Sequence, residues 1–338
     1  MKKVAIAMSG GIDSSVGAFL LKKAGFDIIG IHGIFNEKYD KESLRIAEKT
    51  AKLLKIPFFV LNLKKEFKKE IVNRFINDLK SGVTPNPCVI CNEKIKFGLL
   101  IKSAVELGAK MLATGHYATI KEKDNTFHLF RTNDPSKDQT YFLWRLKQNQ
   151  LKKILFPLSH FDKEEVKNIA KKNNLPAYYS KESQDVCFCP NFKEFVRKNI
   201  ESKPGNIVDL NHNILGKHEG LSFYTIGQRQ GIKLAGGPFY VFKKDIKNNL
   251  LIVTKDSKQL LSKTLIAKDI NWISGITPKF PLRVRAQIRY GHKAQLATIR
   301  KQNNFLKVEF DKPQLAITPG QSVVFFKNKQ VLGGGIIQ

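Results

Sequence analysis

The first third of the chain alternates short apolar runs with amphipathic stretches. Lys3–Met8 (KVAIAM), apolar from Val4 onward and of strand length, predicts a buried strand. Asp13–Ala24 places Val16, Phe19 and Leu20 on one stripe at helical spacing. After the Gly25-Phe26 break, Asp27–Ile34 (DIIGIHGI) predicts a second strand, and Lys41–Leu54 a helix through Leu44, Ala47, Ala51 and Leu54. Pro57–Leu63 (PFFVLNL) predicts a third strand, Phe67–Leu79 and Ile95–Leu107 two helices, and Lys110–Thr114 a short strand. Alternation of this kind predicts an α/β fold, a parallel sheet with helices on both faces and ligands at the carboxyl ends of its strands.

Near residue 200 the pattern changes. Helical spacing gives way to short alternating runs, among them Phe239–Phe242, Leu250–Thr254, Leu282–Ile288, Ala294–Ile299 and Phe305–Phe310, with Gly and Asn between them. These predict a small central β-rich domain and a C-terminal β-barrel. The expected boundaries are 1–200, 201–265 and 266–338. No internal repeat or low-complexity linker interrupts them.

Length and composition agree with several domains. The chain has 338 residues, 42% of them hydrophobic, with 24 Phe to fill its cores. No apolar run reaches membrane-spanning length, so no membrane association is expected. Met1-Lys2-Lys3 is followed by only the short run Val4–Met8, which reads as a strand rather than a leader. A cytoplasmic location is expected. Four cysteines argue for metal or catalytic chemistry over a disulfide framework. The charge is lopsided: 58 Lys and Arg against 29 Asp and Glu give +29. That excess reflects either a general Lys-rich bias or a polyanionic partner, nucleic acid first.

Ser9-Gly10-Gly11-Ile12-Asp13-Ser14-Ser15 follows the first strand and opens the first helix. Two glycines let the backbone approach an anion, and the helix N-terminus supplies free N–H groups and a favourable dipole. Neither a Walker A lysine nor a G-x-G-x-x-G pattern is present. An ordinary capped strand–helix turn is the plainer reading. SGGxDS in this setting resembles the pyrophosphate-loop ATPases. The resemblance implies ATP and Mg²⁺, adenylation of an oxygen on the substrate, and a nucleophile that displaces AMP.

Six further stretches narrow the choice: TPNPCVICNEKIKF (Thr84–Phe97), ATGHYA (Ala113–Ala118), KDQTYFL (Lys137–Leu143), SQDVCF (Ser183–Phe188), YTIGQRQGI (Tyr224–Ile232) and ITPGQ (Ile317–Gln321). In this order, and with the terminal LGGGII, they resemble the bacterial tRNA-specific 2-thiouridylase family along the whole chain. The resemblance implies an N-terminal adenine-nucleotide alpha hydrolase-like (PP-loop) domain followed by the two β domains. It implies adenylation of O2 of the wobble uridine, U34, in tRNAs of the Lys, Glu and Gln type. Sulfur then reaches C2 from a cysteine persulfide. Matched by motif, Cys187 carries the persulfide and Cys91 is the second, nucleophilic thiol, with a transient disulfide between them. Ala7, Met8, Ser9, Gly10, Gly11, Ile12, Asp13 and Ser14 would hold ATP, with Gly33 and Gly115 beside the nucleotide. His116, Lys137, Asp138, Gln139, Arg289, Tyr290 and Gln321 match tRNA-contacting positions. A cysteine desulfurase or sulfur-relay protein would be the sulfur donor.

The residues themselves fit such chemistry. A sulfur nucleophile needs a thiolate, and a thiolate needs a positive setting. Cys91 is expected at the start of a helix carrying Lys94 and Lys96, where the dipole favours an anion. Taken alone, a buried structural thiol is the plainer alternative, stronger for Cys187 between Val186 and Phe188 than for Cys91 with its polar flanks Asn86, Asn92 and Glu93, and an isolated His116 would read as a satisfied core histidine. Arg289-Tyr290 among Arg283, Arg285 and His292 suits phosphate contact and base stacking, or simply a solvated strand face.

One position departs from the family pattern. Many members carry Asp where this chain has Cys88, and that Asp is a proposed general acid/base. The change creates Cys88-x-x-Cys91, which with Cys187 supplies three thiols. Three thiolates could hold a [4Fe–4S] cluster whose free iron carries sulfide. With Cys189 they could instead form a zinc site, although Cys-x-Cys spacing is unusual there. A pyrophosphate-loop amidotransferase or ligase would need an ammonia source, and no glutaminase-like segment is evident. A non-catalytic RNA-binding protein would not need the complete loop or the cysteines.

Overall fold

The first sheet is built from strands β1 (Lys3–Ala7), β2 (Asp27–Ile34), β3 (Phe58–Asn62) and β4 (Met111–Ala113); the hairpin β5 (Thr119–Lys123) and β6 (Thr126–Phe130) then intervenes before β7 (Ile154–Leu155). These bounds come from a computed structural model that describes residues 3–180 and 186–338, apart from the side chains of residues 37–40. The Ser183-Gln184-Asp185 part of SQDVCF therefore lies outside the described residues. Strand order is β3-β2-β1-β4-β7, and every pairing is parallel. The order reverses at β1, so the crevice beyond the carboxyl ends of β1 and β4 is the topological switch point where such sheets bind ligands. β1 is central: Val4, Ala5 and Ile6 are fully buried. β3 is an edge strand, and Phe59 and Val60 are exposed. The first helix, α1 (Ile12–Lys23), starts from Gly11 in extended conformation.

The expected strands and helices of this region are present, with two differences. The helix expected at Ile95 starts at Pro87 instead. It runs as Pro87–Ile90, a π-helical segment Cys91–Leu99, then Leu100–Glu106. A proline at the first helical position loses no hydrogen bond and has its φ already set, so it favours the earlier start. The second difference is the β5–β6 hairpin, which the sequence reading passed over.

The central sheet comprises β8 (Gly205–Val208), β9 (Ile214–His218), β10 (Tyr240–Asp245) and β11 (Leu250–Thr254), in the order β10-β11-β8-β9. The last six strands are β12 (Leu261–Trp272), β13 (Leu282–Gln287), β14 (Gln295–Gln302), β15 (Phe305–Leu315), β16 (Ser322–Lys327) and β17 (Gln330–Ile337). They run β12-β15-β14-β13-β16-β17, and β12 also pairs with β17, which closes a six-stranded barrel. Val284, Ala297, Val308, Phe310, Val323 and Phe325 fill it. The β5–β6 hairpin leaves the first domain and adds to the barrel sheet at β17, with Gln330 opposite Phe130 and Val331 opposite Leu129.

Trp144 fastens the two ends of the chain. Its ring is fully buried, and its indole N–H donates to Ser322 Oγ at 3.0 Å. Gly334 of β17 leaves room for it: a Cβ there would lie 2.7 Å from the indole. Trp144→Ala is expected to cost about 3–5 kcal/mol, through the cavity and the orphaned hydroxyl. A fall in the urea midpoint at unchanged slope would show it.

Candidate active site

The loop after β1 is tightly constrained. Met8 N donates to Ile31 O at 2.8 Å, which ties the loop to β2. Ser14 Oγ donates to Gly11 O at 3.0 Å and accepts from Ser9 N at 3.2 Å. Gly10 has φ +79°, and a Cβ there would lie 2.2 Å from Ser43 O. Gly115, in the loop after β4, touches the first loop: its Cβ would lie 2.8 Å from both Asp13 C and Ser14 N. Ala7 ends β1 and Met8 follows it, Ile12 opens α1, and Gly33 sits near the end of β2, so the expected nucleotide residues gather at the switch point.

Sequence reading missed two residues here. Lys163 Nζ donates to Asp13 Oδ1 at 2.7 Å and Oδ2 at 2.9 Å, and Tyr117 Oη donates to Asp13 Oδ1 at 2.7 Å. Lys163 is buried although charged. It opens the helix Lys163–Lys172, capped by Asp162, which accepts from Glu165 N at 2.8 Å. The signal was available: D-x-x-E is a capping box. Nothing local shows that the lysine beside it folds back onto residue 13.

The thiols lie on the far side of Gly115. Cys88 is in the first helical turn and half-buried; Cys91 is one turn deeper and buried; Cys187 is exposed and Cys189 buried. The expectation that Cys91 sits at the helix start, favoured as an anion, is thus corrected. The helix begins at Pro87, and the dipole acts mainly within the first turn. Burial dominates instead and pushes the Cys91 thiol up to about 12. Lys96 pulls it back in part, and the Cys187 and Cys88 thiols push it further up. Cys88 is raised by burial and drawn down by the same lysine. Lys96 follows Cys91 by five residues, a spacing that a π turn keeps on one face and an α turn does not.

Lys96 also joins the thiols to the nucleotide loops. Its Nζ lies 3.4 Å from His116 Nε2, and His116 Nδ1 lies 2.8 Å from Thr114 Oγ1. An ammonium can only donate, so Nε2 accepts and Nδ1 carries the proton to Thr114. Burial first, and the charge of Lys96 second, hold His116 well below its ordinary value, so the ring is neutral. At pH 7.5, iodoacetamide followed by peptide mass spectrometry is expected to label Cys187 well before Cys91, because the buried thiol stays protonated. Raised titration also has a stability consequence. Cys91 contributes stability that is fully present below its unfolded value near 9 and is lost as pH climbs towards 12.

The tRNA-matched positions fall in three places. Asp138 is buried, accepts from Thr140 Oγ1 at 2.9 and 2.8 Å, and pairs with Arg131 Nε at 3.5 Å. Gln139 Oε1 accepts from Tyr117 N at 3.0 Å. These two, with His116, are engaged inside the fold. Lys137 is half-buried and lines a cleft with His160, Lys163 and Lys167. On the barrel, Arg289 Nη2 donates to Ala316 O at 3.3 Å, and Tyr290 is 43% exposed with its ring 4.5 Å from that of Phe142. Gln321 Nε2 donates to Thr84 O at 2.9 Å. The barrel residues are thereby brought beside the TPNP segment. Among the described residues, no three His, Cys, Asp or Glu side chains are grouped to hold a metal ion. Cys88, Cys91 and Cys187 as placed therefore do not fit a cluster or zinc site. Nor is any helix among the described residues long and apolar enough to cross a membrane.

Three family models cover the chain. Residues 2–191 match a tRNA methyl transferase HUP domain, residues 193–255 a tRNA methyl transferase PRC-barrel domain, and residues 262–337 an aminomethyltransferase beta-barrel domain. A 4-thiouridine synthetase crystallised with RNA and ATP is similar at a TM-score of 0.38 and 20% identity, over 59% of this chain and 50% of that one. A likeness that remote bears no weight. Sequence relatives are much nearer. The tRNA-specific 2-thiouridylase MnmA 1 of Clostridium tetani is 44% identical over 100% of this chain and 97% of its own. That of Halothermothrix orenii is 44% identical over 100% and 99%, and that of Clostridium perfringens 42% over 100% and 98%. At such identity from end to end, the chain belongs to the tRNA-specific 2-thiouridylase family.

Proposed function

We propose that this protein converts the wobble uridine of Lys-, Glu- and Gln-type tRNAs to 2-thiouridine, using ATP and a persulfide on Cys187. One observation carries the reading: phosphate loop and thiols form one continuous site, from Asp13 and Ser14 through Gly115 and His116 to Lys96 and the thiols. The family models name methyl transfer for two of the three segments. Adenylation followed by sulfur transfer needs an anion loop and thiols together, a combination that methyl transfer does not require.

Residues 7–14, with Gly33 and Gly115 alongside, hold ATP. Both carboxylate oxygens of Asp13 already accept from Lys163, so they do not fit a magnesium ligand; Mg²⁺ would come in on the ATP phosphates and neutralise their charge. O2 of the uridine attacks the α-phosphorus and pyrophosphate leaves. The terminal sulfur of the Cys187 persulfide forms a bond to C2, and AMP leaves with the C2–O bond electrons. Cys91 attacks Sγ of Cys187, and its proton passes to N3 of the base, which gave one up on adenylation. The S–S bond of the persulfide breaks, its electron pair stays on the new thiocarbonyl, and a Cys91–Cys187 disulfide remains for a thiol reductant to open. Exposure of Cys187 suits recharging by a cysteine desulfurase or sulfur-relay protein, and burial of Cys91 suits a thiol used only within the site. Lys137, Arg289 and Tyr290 offer cations and a stacking ring to RNA.

Incubation of the protein with an unmodified tRNA, ATP, cysteine and a cysteine desulfurase should yield 2-thiouridine and AMP in equal amounts. Nucleoside mass spectrometry reads the product. Absence of 2-thiouridine with a competent desulfurase would sink the reading, as would an unchanged 2-thiouridine content in tRNA from cells lacking the gene.

A further inference from the structure

Three motifs that the chemistry leaves unused meet at one residue, Thr84. The turn Thr318–Gln321 is closed by Gln321 N donating to Thr318 O at 3.2 Å, with Pro319 second and Gly320 third at φ +90°. This is a type II turn, which needs a glycine there. Its tip seats on Thr84 from both sides: Thr84 N donates to Pro319 O at 2.9 Å, and Gln321 Nε2 donates to Thr84 O at 2.9 Å. A Cβ on Gly320 would lie 2.9 Å from Thr84 O and from Val83 Cβ. From the central domain, Thr225 Oγ1 accepts from Thr84 Oγ1 at 3.3 Å. Next to the turn, Ser322 O accepts from Tyr141 Oη at 2.9 Å, and Asn86 hydrogen-bonds the same phenol. Asn86 stands at the N-cap position of the helix whose first turn holds Cys88.

We propose that Gln321 is a positioning residue: with the Thr318–Gln321 turn it clamps Thr84 and so sets where Cys88 and Cys91 stand relative to the barrel face bearing Arg289 and Tyr290. Backbone groups of a loop end need partners, and here both of those on Thr84 come from another domain. The barrel thus fixes the loop that leads into the thiol helix. RNA lying on the barrel is held in register with the sulfur chemistry by the same few bonds. This deepens the thiolation reading, on which its functional consequence rests; its structural content can be measured without RNA.

The test is alkylation by iodoacetamide at one fixed pH in the full-length protein, with rates resolved per cysteine by peptide mass spectrometry. Gln321→Ala removes the donor to Thr84 O. Gly320→Ala pushes the turn off Thr84 while keeping the carboxamide. In both, labelling of Cys88 and Cys91 should accelerate about tenfold through local opening, while buried Cys189 changes less than about twofold. In both, kcat for 2-thiouridine should fall about tenfold, since misplacement by 1 Å is enough for such a loss, and in Gly320→Ala, which keeps the carboxamide, the dissociation constant for tRNA should stay within about twofold of the parent. Unchanged Cys88 and Cys91 rates in both variants would overturn the proposal. So would equal acceleration at Cys189, which marks general loosening, or a raised dissociation constant with thiol rates unmoved, which marks Gln321 as an RNA contact. Failure of tRNA thiolation by the parent protein would strike the proposed function and leave the labelling result standing.

Discussion

Cys187→Ser is expected to abolish 2-thiouridine formation while tRNA-dependent pyrophosphate release continues. The hydroxyl cannot carry a sulfane sulfur, but adenylation precedes the step that uses that side chain. Loss of a covalent intermediate leaves only uncatalysed attack by free sulfide, so a drop of about 10³-fold or more is expected at limiting sulfide. Cys91→Ser should behave differently. A persulfide still loads on exposed Cys187 and is visible as an added sulfur in its peptide, but its discharge stalls for want of the attacking thiol. Two variants with equal inactivity and opposite persulfide content would support the division of labour between the two thiols. If Cys187→Ser kept more than a tenth of parental activity, the persulfide would have to reside elsewhere.

The second large effect lies in the phosphate loop. Gly10→Ala should raise the dissociation constant for ATP by about 100-fold, since a loop displaced by 1 Å can no longer present its N–H groups in register. Two costs combine there. The left-handed backbone at φ +79° penalises any L side chain by about 1–2 kcal/mol. A Cβ at 2.2 Å from Ser43 O must also displace backbone rather than a flexible side chain. Gly11→Ala is the control. Its φ is −83°, and its Cβ would meet only Ser9 Oγ at an ordinary 3.5 Å, so the free protein should lose little stability. Calorimetric titration separates the two. Gly10→Ala should lose both melting temperature and ATP affinity. Gly11→Ala should lose ATP affinity only if a phosphate occupies the space its methyl enters.

How far the sequence shows this site depends on the range of the interactions that build it. The β1 run KVAIAM and the SGGIDSS turn are local signals, and both lead to the observed switch point. The depth of Cys91 was not local in the same sense. Its burial follows from a helix start at Pro87, one turn before Cys91, and from a π segment that apolar spacing does not announce. Lys163 is a helix-opening lysine by sequence, and only the packing of its helix against α1 turns it towards Asp13. The hairpin at 119–130 did carry a sign, since Asp124 and Asn125 both take positive φ in a two-residue turn and are residues that tolerate it. Its pairing with β17 had none. Barrel closure, the seating of Thr318–Gln321 on Thr84 and the approach of Cys187 to Cys91 are all contacts between distant segments.

That hairpin also bears on how the protein is made. His128 of β6 bonds Gln330 at 2.9 Å, a partner 202 positions later in the chain. A ribosome adding roughly 5–20 residues per second needs about 10–40 s to cover that interval. Throughout it, β6 has β5 on one side, and the backbone edge that Gln330 and Val331 later pair stays open. The first domain thus waits, with an open strand edge, for the last strand to be synthesised. An open apolar edge is a template for unwanted pairing. Nascent chains stalled or truncated before Gln330 should depend on chaperones far more than finished ones, even though their catalytic domain is already complete in sequence.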